Sequence, residues 1–194
     1  KRAHALGHPI VIDPVGVSGS SYRREKCLEL MKIIHPTCIR GNYSEIQALL
    51  HNCGTVTGVD AAEDALAEAE ETDLPELMKQ YAKENQMILV AAGEADLITD
   101  GSCVYRCHNG SPMMARITGS GCMSTVMLGA FLSAENSVES AVACCAFTGI
   151  AGELAAKETT AQKRGTMTFR NWFIDAVSLM TPEQLEHGTD VDWF

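Results

Sequence analysis

The residues best suited to chemistry are Thr118-Gly119-Ser120-Gly121-Cys122, between an apolar run ending at Ile117 and an apolar helical stretch. Two glycines let the backbone turn tightly, so successive N–H groups can aim at one point. The first turn of a helix adds N–H donors without intrahelical partners and the positive end of the helix dipole. Together these make an anion cradle suited to a phosphoryl group, with Cys122 inside the same field. A Gly-rich turn that simply carries a buried cysteine fits the same residues, because short glycine motifs also recur for structural reasons.

A second set is acidic. Asp13 closes the run His8-Pro9-Ile10-Val11-Ile12-Asp13, and Glu45 opens a helix within Arg40-Gly41-Asn42-Tyr43-Ser44-Glu45. If both runs are parallel strands, their carboxyl ends line one ligand crevice. Two carboxylates there, with Asn42 beside them, suit Mg²⁺ and its water shell. Arg40 at the same edge suits a phosphate gripped by two N–H groups. The alternative is plain helix capping by Asn42 and Glu45 with a surface arginine. A third set, Ala91-Ala92-Gly93-Glu94-Ala95-Asp96, leaves an apolar run through a glycine turn, its acids either lining the crevice or facing solvent. Histidines 4, 8, 35, 51, 108 and 187 form no cluster with a nucleophile.

These residues need a scaffold that brings strand ends together. The apolar runs at 8–13, 37–40 and 87–92 read as buried strands. Helical spacing over 22–34, with Cys27, Leu30, Met31 and Ile34 on one face, ends at Pro36. Further helices are expected at 44–50, 74–84, 121–134, 137–157, 168–180 and 182–187. Segments 96–99, 103–107 and 113–117 alternate and are separated by Asp-Gly and Asn-Gly turns, which predicts hairpins. The pattern is α/β, with a mixed sheet that is parallel at its centre and flanked by helices.

Length and composition narrow the function classes. The 194 residues fit one domain, and 46% hydrophobic against 21% charged residues excludes a disordered chain. The net charge of −10 argues against nucleic acid or an anionic membrane as partner. Much of it is local: Glu63, Asp64, Glu68, Glu70, Glu71, Asp73 and Glu76 follow one another with no base between them. The eight cysteines show no CxxC pair. Cys103 and Cys107, read on one strand face, would stand about 13 Å apart, too far for one zinc. A reducing cytoplasm is the natural compartment. Residues 1–8 lack an apolar core, so no signal peptide is expected there, and the apolar stretches look interrupted before a membrane-spanning length. The first strand-like run starts within eight residues, which suggests a beginning inside a domain.

In order along the chain, DPVGV (13–17), IRGNYSEI (39–46), GVD (58–60), GEADLITDG (93–101), NG (109–110), ITGSGCMST (117–125) and AGELA (151–155) resemble the hydroxyethylthiazole kinases of the ribokinase-like superfamily. Cysteine in GSGC, where the superfamily usually has aspartate, is specific to that family. The resemblance implies phosphorylation of the hydroxyl of 4-methyl-5-(2-hydroxyethyl)thiazole by ATP and Mg²⁺ in thiamine salvage. The family's anion hole falls on Gly119, Ser120 and Gly121, with Gly119 also near the substrate, and its base on Cys122. Its metal-associated acids fall on Asp13 and Glu45, the latter in the pattern Asn42-Tyr43-Ser44-Glu45, and a nucleotide contact falls on Arg40. Ala92 departs from the family, which carries a hydroxyl residue there toward the nucleotide. The family is typically a trimer with active sites between subunits. It is also longer at its N-terminal side, so the chain reads as the C-terminal two-thirds of a single ribokinase-like domain. Two other readings stand beside this one: a kinase of another small alcohol, of the hydroxymethylpyrimidine or pyridoxal type, and a non-catalytic nucleotide-binding remnant.

Overall fold

The computed structural model describes residues 2–53 and 74–194, without the side chains of 52 and 53. Residues Glu63 to Asp73 of the acidic run and the GVD triplet at 58–60 lie outside them. A short helix α1 (Arg2–Ala5) precedes β1 (Val11–Ile12), α2 (Ser21–Ile34), β2 (Cys38–Asn42) and α3 (Tyr43–Cys53). After α4 (Leu74–Asn85) come β3 (Ile88–Ala92), β4 (Asp96–Thr99) and β5 (Val104–Cys107), then a 3₁₀ turn at Met114–Arg116. The chain continues through α5 (Ser120–Ala134), α6 (Val138–Ala161), α7 (Thr166–Leu179) and α8 (Pro182–Gly188) to β6 (Val191–Trp193).

The six strands form one sheet in chain order, β1 to β6. The β1–β2 and β2–β3 ladders are parallel, because a helix returns the chain between their strands; the three later ladders are antiparallel. The sheet is thus mixed, and less parallel than the sequence suggests, with the parallel half carrying the strand ends of interest. Strand alternation divides the core. Ile39, Leu89, Ala91 and Leu97 pack on one face with Met31, Ile46, Leu49 and Met78 of α2, α3 and α4. Cys38, Ile88, Val90, Ile98 and Cys107 pack on the other with Leu128, Leu132, Cys144 and Cys145 of α5 and α6. A third cluster seats Phe169 and Phe173 of α7 on Ala151 and Ala155 of α6.

Two expectations are corrected. Segment 113–117 is not the second strand of a hairpin: it holds the 3₁₀ turn, and its methionines Met113 and Met114 pack toward the α6–α7 cluster. The edge of β5 is taken instead by β6, which no sequence signal announced, through Tyr105 opposite Trp193 and Cys107 opposite Val191. Helix α6 runs longer than expected and is long and apolar enough to cross a membrane. It is apolar because it lies between the sheet on one side and α7 on the other, with twelve of its residues buried.

Candidate active site

The carboxyl ends of β1, β2 and β3 and the first turn of α5 meet at one edge of the sheet. The β2–β3 register sets Arg40 opposite Val90 and Asn42 opposite Ala92. From β2, Arg40 reaches across to α5, where its Nη1 donates to the Gly121 carbonyl at 3.2 Å and to Thr125 Oγ1 at 3.4 Å. Thr125 Oγ1 lies 2.9 Å from Asp13 Oδ2 at the end of β1. Asp13, Arg40 and the start of α5 are therefore joined by hydrogen bonds through Thr125 and Gly121.

Gly119 caps α5 with φ 94°, a conformation that disfavours any side chain, and no side chain caps this helix. The N–H groups of Ser120, Gly121 and Cys122 belong to the first turn, which has no intrahelical acceptors for them. The Ser120 hydroxyl faces away from the cradle and donates to the Met114 carbonyl at 2.9 Å, so this residue can offer an anion its N–H. The Arg40 guanidinium passes 3.8 Å from the place a Cβ on Gly121 would take, adding positive charge beside the helix end. Cys122 is exposed, not buried as the structural reading of the motif had it. It opens an apolar groove of about 390 Å³ between α5 and α7, lined also by Val126, Met127, Phe173 and Ile174.

Glu45 and Asn42 are tied into local structure. The Asn42 Oδ1 accepts the Glu45 N–H at 2.8 Å, and Glu45 Oε2 accepts the Asn42 N–H at 3.0 Å, a reciprocal cap on α3. Glu45 Oε1 accepts the Gly16 N–H at 2.7 Å, fastening the loop after β1. Both carboxylate oxygens are thus engaged by backbone, so capping is an observed role of Glu45, and any cation would meet it through remaining lone pairs.

Ala92 ends β3 and is half-buried. Beyond it, the Gly93 N–H donates to Asp96 Oδ1 at 3.1 Å. The Tyr43 ring fills the space a Cβ on Gly93 would need, its Cζ 2.6 Å away, and the Tyr43 hydroxyl donates to the Ala95 carbonyl. Of the two acids in this turn Glu94 is exposed, whereas Asp96 turns inward. Burial pushes the Asp96 carboxyl up, and the nearby Arg40 charge, the Gly93 N–H and the Cys145 thiol partly oppose this. Burial likewise pushes Cys144 up to about 12, which leaves the thiols beneath the site as inert core.

Sequence reasoning missed three contributors: Thr125, Tyr43, and the pair Asn109 and Glu153. Glu153 Oε1 accepts the Gly110 N–H at 2.8 Å and the Asn109 side-chain amide at 3.1 Å. Gly149 and Gly152 let α6 approach this loop, since a Cβ on Gly149 would lie 2.5 Å from the Asn109 backbone. That loop ends in the Met114 carbonyl that holds Ser120, so α6 supports the cradle from behind. Among the described residues no group of three metal-ligating side chains occurs, at Cys103-Cys107-His108 or elsewhere.

A model of the hydroxyethylthiazole kinase family matches residues 1–183. The chain is 35% identical over 189 residues to hydroxyethylthiazole kinase of Clostridium acetobutylicum, covering 96% of this chain and 69% of that protein. It is 36% identical over 193 residues to the enzyme of the same name from Desulforudis audaxviator, covering 99% and 67%. The solved structure of hydroxyethylthiazole kinase from Pyrococcus horikoshii superposes with a TM-score of 0.80 at 27% identity, over 99% of this chain and 68% of that one. The chain therefore spans about two-thirds of the length of these relatives. On a family model matched over nearly its whole length, the chain belongs to the hydroxyethylthiazole kinase family and is a kinase by that membership.

Proposed function

We propose that this chain transfers the γ-phosphoryl group of ATP to the primary hydroxyl of 4-methyl-5-(2-hydroxyethyl)thiazole, a thiamine-salvage step. The observation that carries the reading is the uncapped start of α5 facing Arg40 and Asp13 across one strand edge. Phosphoryl transfer asks mainly for positioning and charge neutralisation. The N–H groups of Gly119, Ser120 and Gly121 receive the transferred phosphoryl oxygens, and Arg40 holds a nucleotide phosphate. The residues present fit a hydrated Mg²⁺. Asp13 offers hard oxygens with one side-chain donor on them, and Glu45 reaches such an ion through water, in keeping with the waters Mg²⁺ retains. When bound, the ion supplies neutralisation of phosphate charge.

Cys122 stands at the exposed first turn and, as its thiolate, receives the proton of the acceptor hydroxyl. It is a helper, so Cys122→Ala slows turnover by about 100-fold, the low end for general-base loss, without abolishing it. Cys122→Asp keeps activity, because a carboxylate serves the same role. With Ala92 the nucleotide lacks one hydrogen bond, worth about 0.5–1.5 kcal/mol. We read the chain as one kinase domain that assembles as a homotrimer. The exposed Val126 and Ile174 beside Cys122 support a subunit boundary near the site. The seven described cysteines, all free thiols, support a reducing, cytoplasmic setting. The test is ATP consumption with a panel of heterocyclic alcohols, alongside light scattering for the assembly. Turnover of the thiazole alcohol supports the reading; a folded Cys122→Asp protein without activity refutes the role given to Cys122.

A further inference from the structure

Among the described residues, Thr125 is the one side chain that hydrogen-bonds to both charged partners of the site. Its Oγ1 lies 2.9 Å from Asp13 Oδ2, 3.4 Å from Arg40 Nη1 and 3.1 Å from the Gly121 carbonyl. The partners come from β1 and β2, 112 and 85 residues away in sequence. A hydroxyl has one proton and can accept as well as donate. The nearest acceptor is an anionic oxygen, so the proton goes to Asp13 in a charge-assisted bond. The lone pair then accepts from Arg40, which also donates to the Gly121 carbonyl, the second acceptor within reach of the hydroxyl. The contacts to Asp13, Arg40 and the Gly121 carbonyl hold the oxygen in place.

Among the described residues, Arg40 and Asp13 form no direct ion pair. In a direct pair each would satisfy the other, leaving neither charge free for a ligand. We propose that Thr125 is a positioning residue: its hydroxyl spaces Arg40 from Asp13, keeping the guanidinium available for a nucleotide phosphate and the carboxylate for a cation. This rests on the kinase reading above and adds to it a residue that contacts neither reacting atom.

The test is calorimetric titration with a non-hydrolysable ATP analogue, with and without Mg²⁺, beside initial-rate kinetics and thermal melting. Thr125→Val removes the hydroxyl at nearly constant shape. The nucleotide Kd and the KM for ATP rise about tenfold, as when one hydrogen bond to a charged group is lost, while kcat changes far less. Thr125→Ser restores both. Adding Asp13→Asn to Thr125→Val recovers metal-free nucleotide affinity, because Arg40 no longer has a carboxylate to collapse onto. Wild-type affinity in Thr125→Val, a Thr125→Ser protein as weak as the valine variant, or no recovery in the double variant overturns the proposal. If Thr125→Val does not fold, Thr125→Ala is compared with Thr125→Ser in the same way. A parent chain that neither binds the analogue nor turns over the thiazole alcohol refutes the kinase reading instead.

Discussion

Replacing Glu45 by glutamine separates its fastening of backbone from any work on a cation. In the native protein its two oxygens accept the Gly16 N–H at 2.7 Å and the Asn42 N–H at 3.0 Å. The first bond is partly buried and charge-assisted, worth about 1.5–3 kcal/mol; the second is exposed and belongs to a helix cap, worth about 0.5–1 kcal/mol. Glutamine has one acceptor oxygen, so it keeps one bond in weaker neutral form and turns an NH₂ toward the other donor. The net loss is about 2 kcal/mol, and at 2–4 °C per kcal/mol for a chain of this size the melting temperature falls by roughly 4–8 °C. Asp13→Asn is the control: the Thr125 hydroxyl can still donate to an amide oxygen and only the charge assistance of that one bond is lost, so that variant melts closer to the parent than Glu45→Gln does. Melting is followed by circular dichroism in EDTA, where no divalent ion contributes. A Glu45→Gln protein that melts with the parent in EDTA, but below it when Mg²⁺ is added, refutes the reasoning, because Glu45 would then act through the ion alone.

Three more expectations follow from burial and close contact. Mass-mapped alkylation of the native protein modifies Cys122 first and Cys103 more slowly, and spares Cys27, Cys38, Cys107, Cys144 and Cys145 until denaturant is added. Asp96 has a raised carboxyl pKa, so between the ordinary aspartate range and that raised value the folded state holds the extra proton. Its contribution to stability is therefore present below that window and lost as pH rises through it. Denaturant midpoints against pH show this limb in the parent and a flatter one in Asp96→Asn; equal slopes contradict the assignment. In α6, Gly149→Ala puts a Cβ 2.5 Å from the Asn109 backbone and costs about 1–3 kcal/mol despite the gain in helix propensity. In α5, Gly129→Ala meets only a Val11 methyl at 4.0 Å, and its denaturant midpoint rises.

What could be read from the chain itself was local. The apolar runs around Ile39 and Leu89 announced strands because burial on both faces demands continuous apolar residues. The Gly-Ser-Gly turn announced the start of α5 because it combines turn residues with an apolar helix. The acidic pattern was ambiguous: Asn42 and Glu45 at a spacing of three fit a cap and a cation equally, and the cap is visible only in the folded backbone, where each side chain accepts the other residue's N–H. The run Met113-Met114-Ala115-Arg116-Ile117 was too short for periodicity to separate strand from turn, and its outcome was set by α6 packing against it. Thr125 and Glu153 fall inside the family-like segments 117–125 and 151–155, but nothing local gives either a role, since their value lies in partners many residues distant.

The ladder between β5 and β6 has a consequence for how the molecule assembles in time. The two strands are joined by four helices, and His108 meets Asp192 across a separation of 84 residues. During synthesis at about 5–20 residues per second, roughly 4–17 s pass between the appearance of β5 and that of its partner. Throughout that interval the backbone of Val104 to Cys107 presents an unpaired edge, open to a strand from any neighbouring chain. The ladder joins residues some 84 apart, so closing this edge of the sheet is a non-local step. Nascent chains stalled within α7 therefore aggregate more readily than chains released after Trp193.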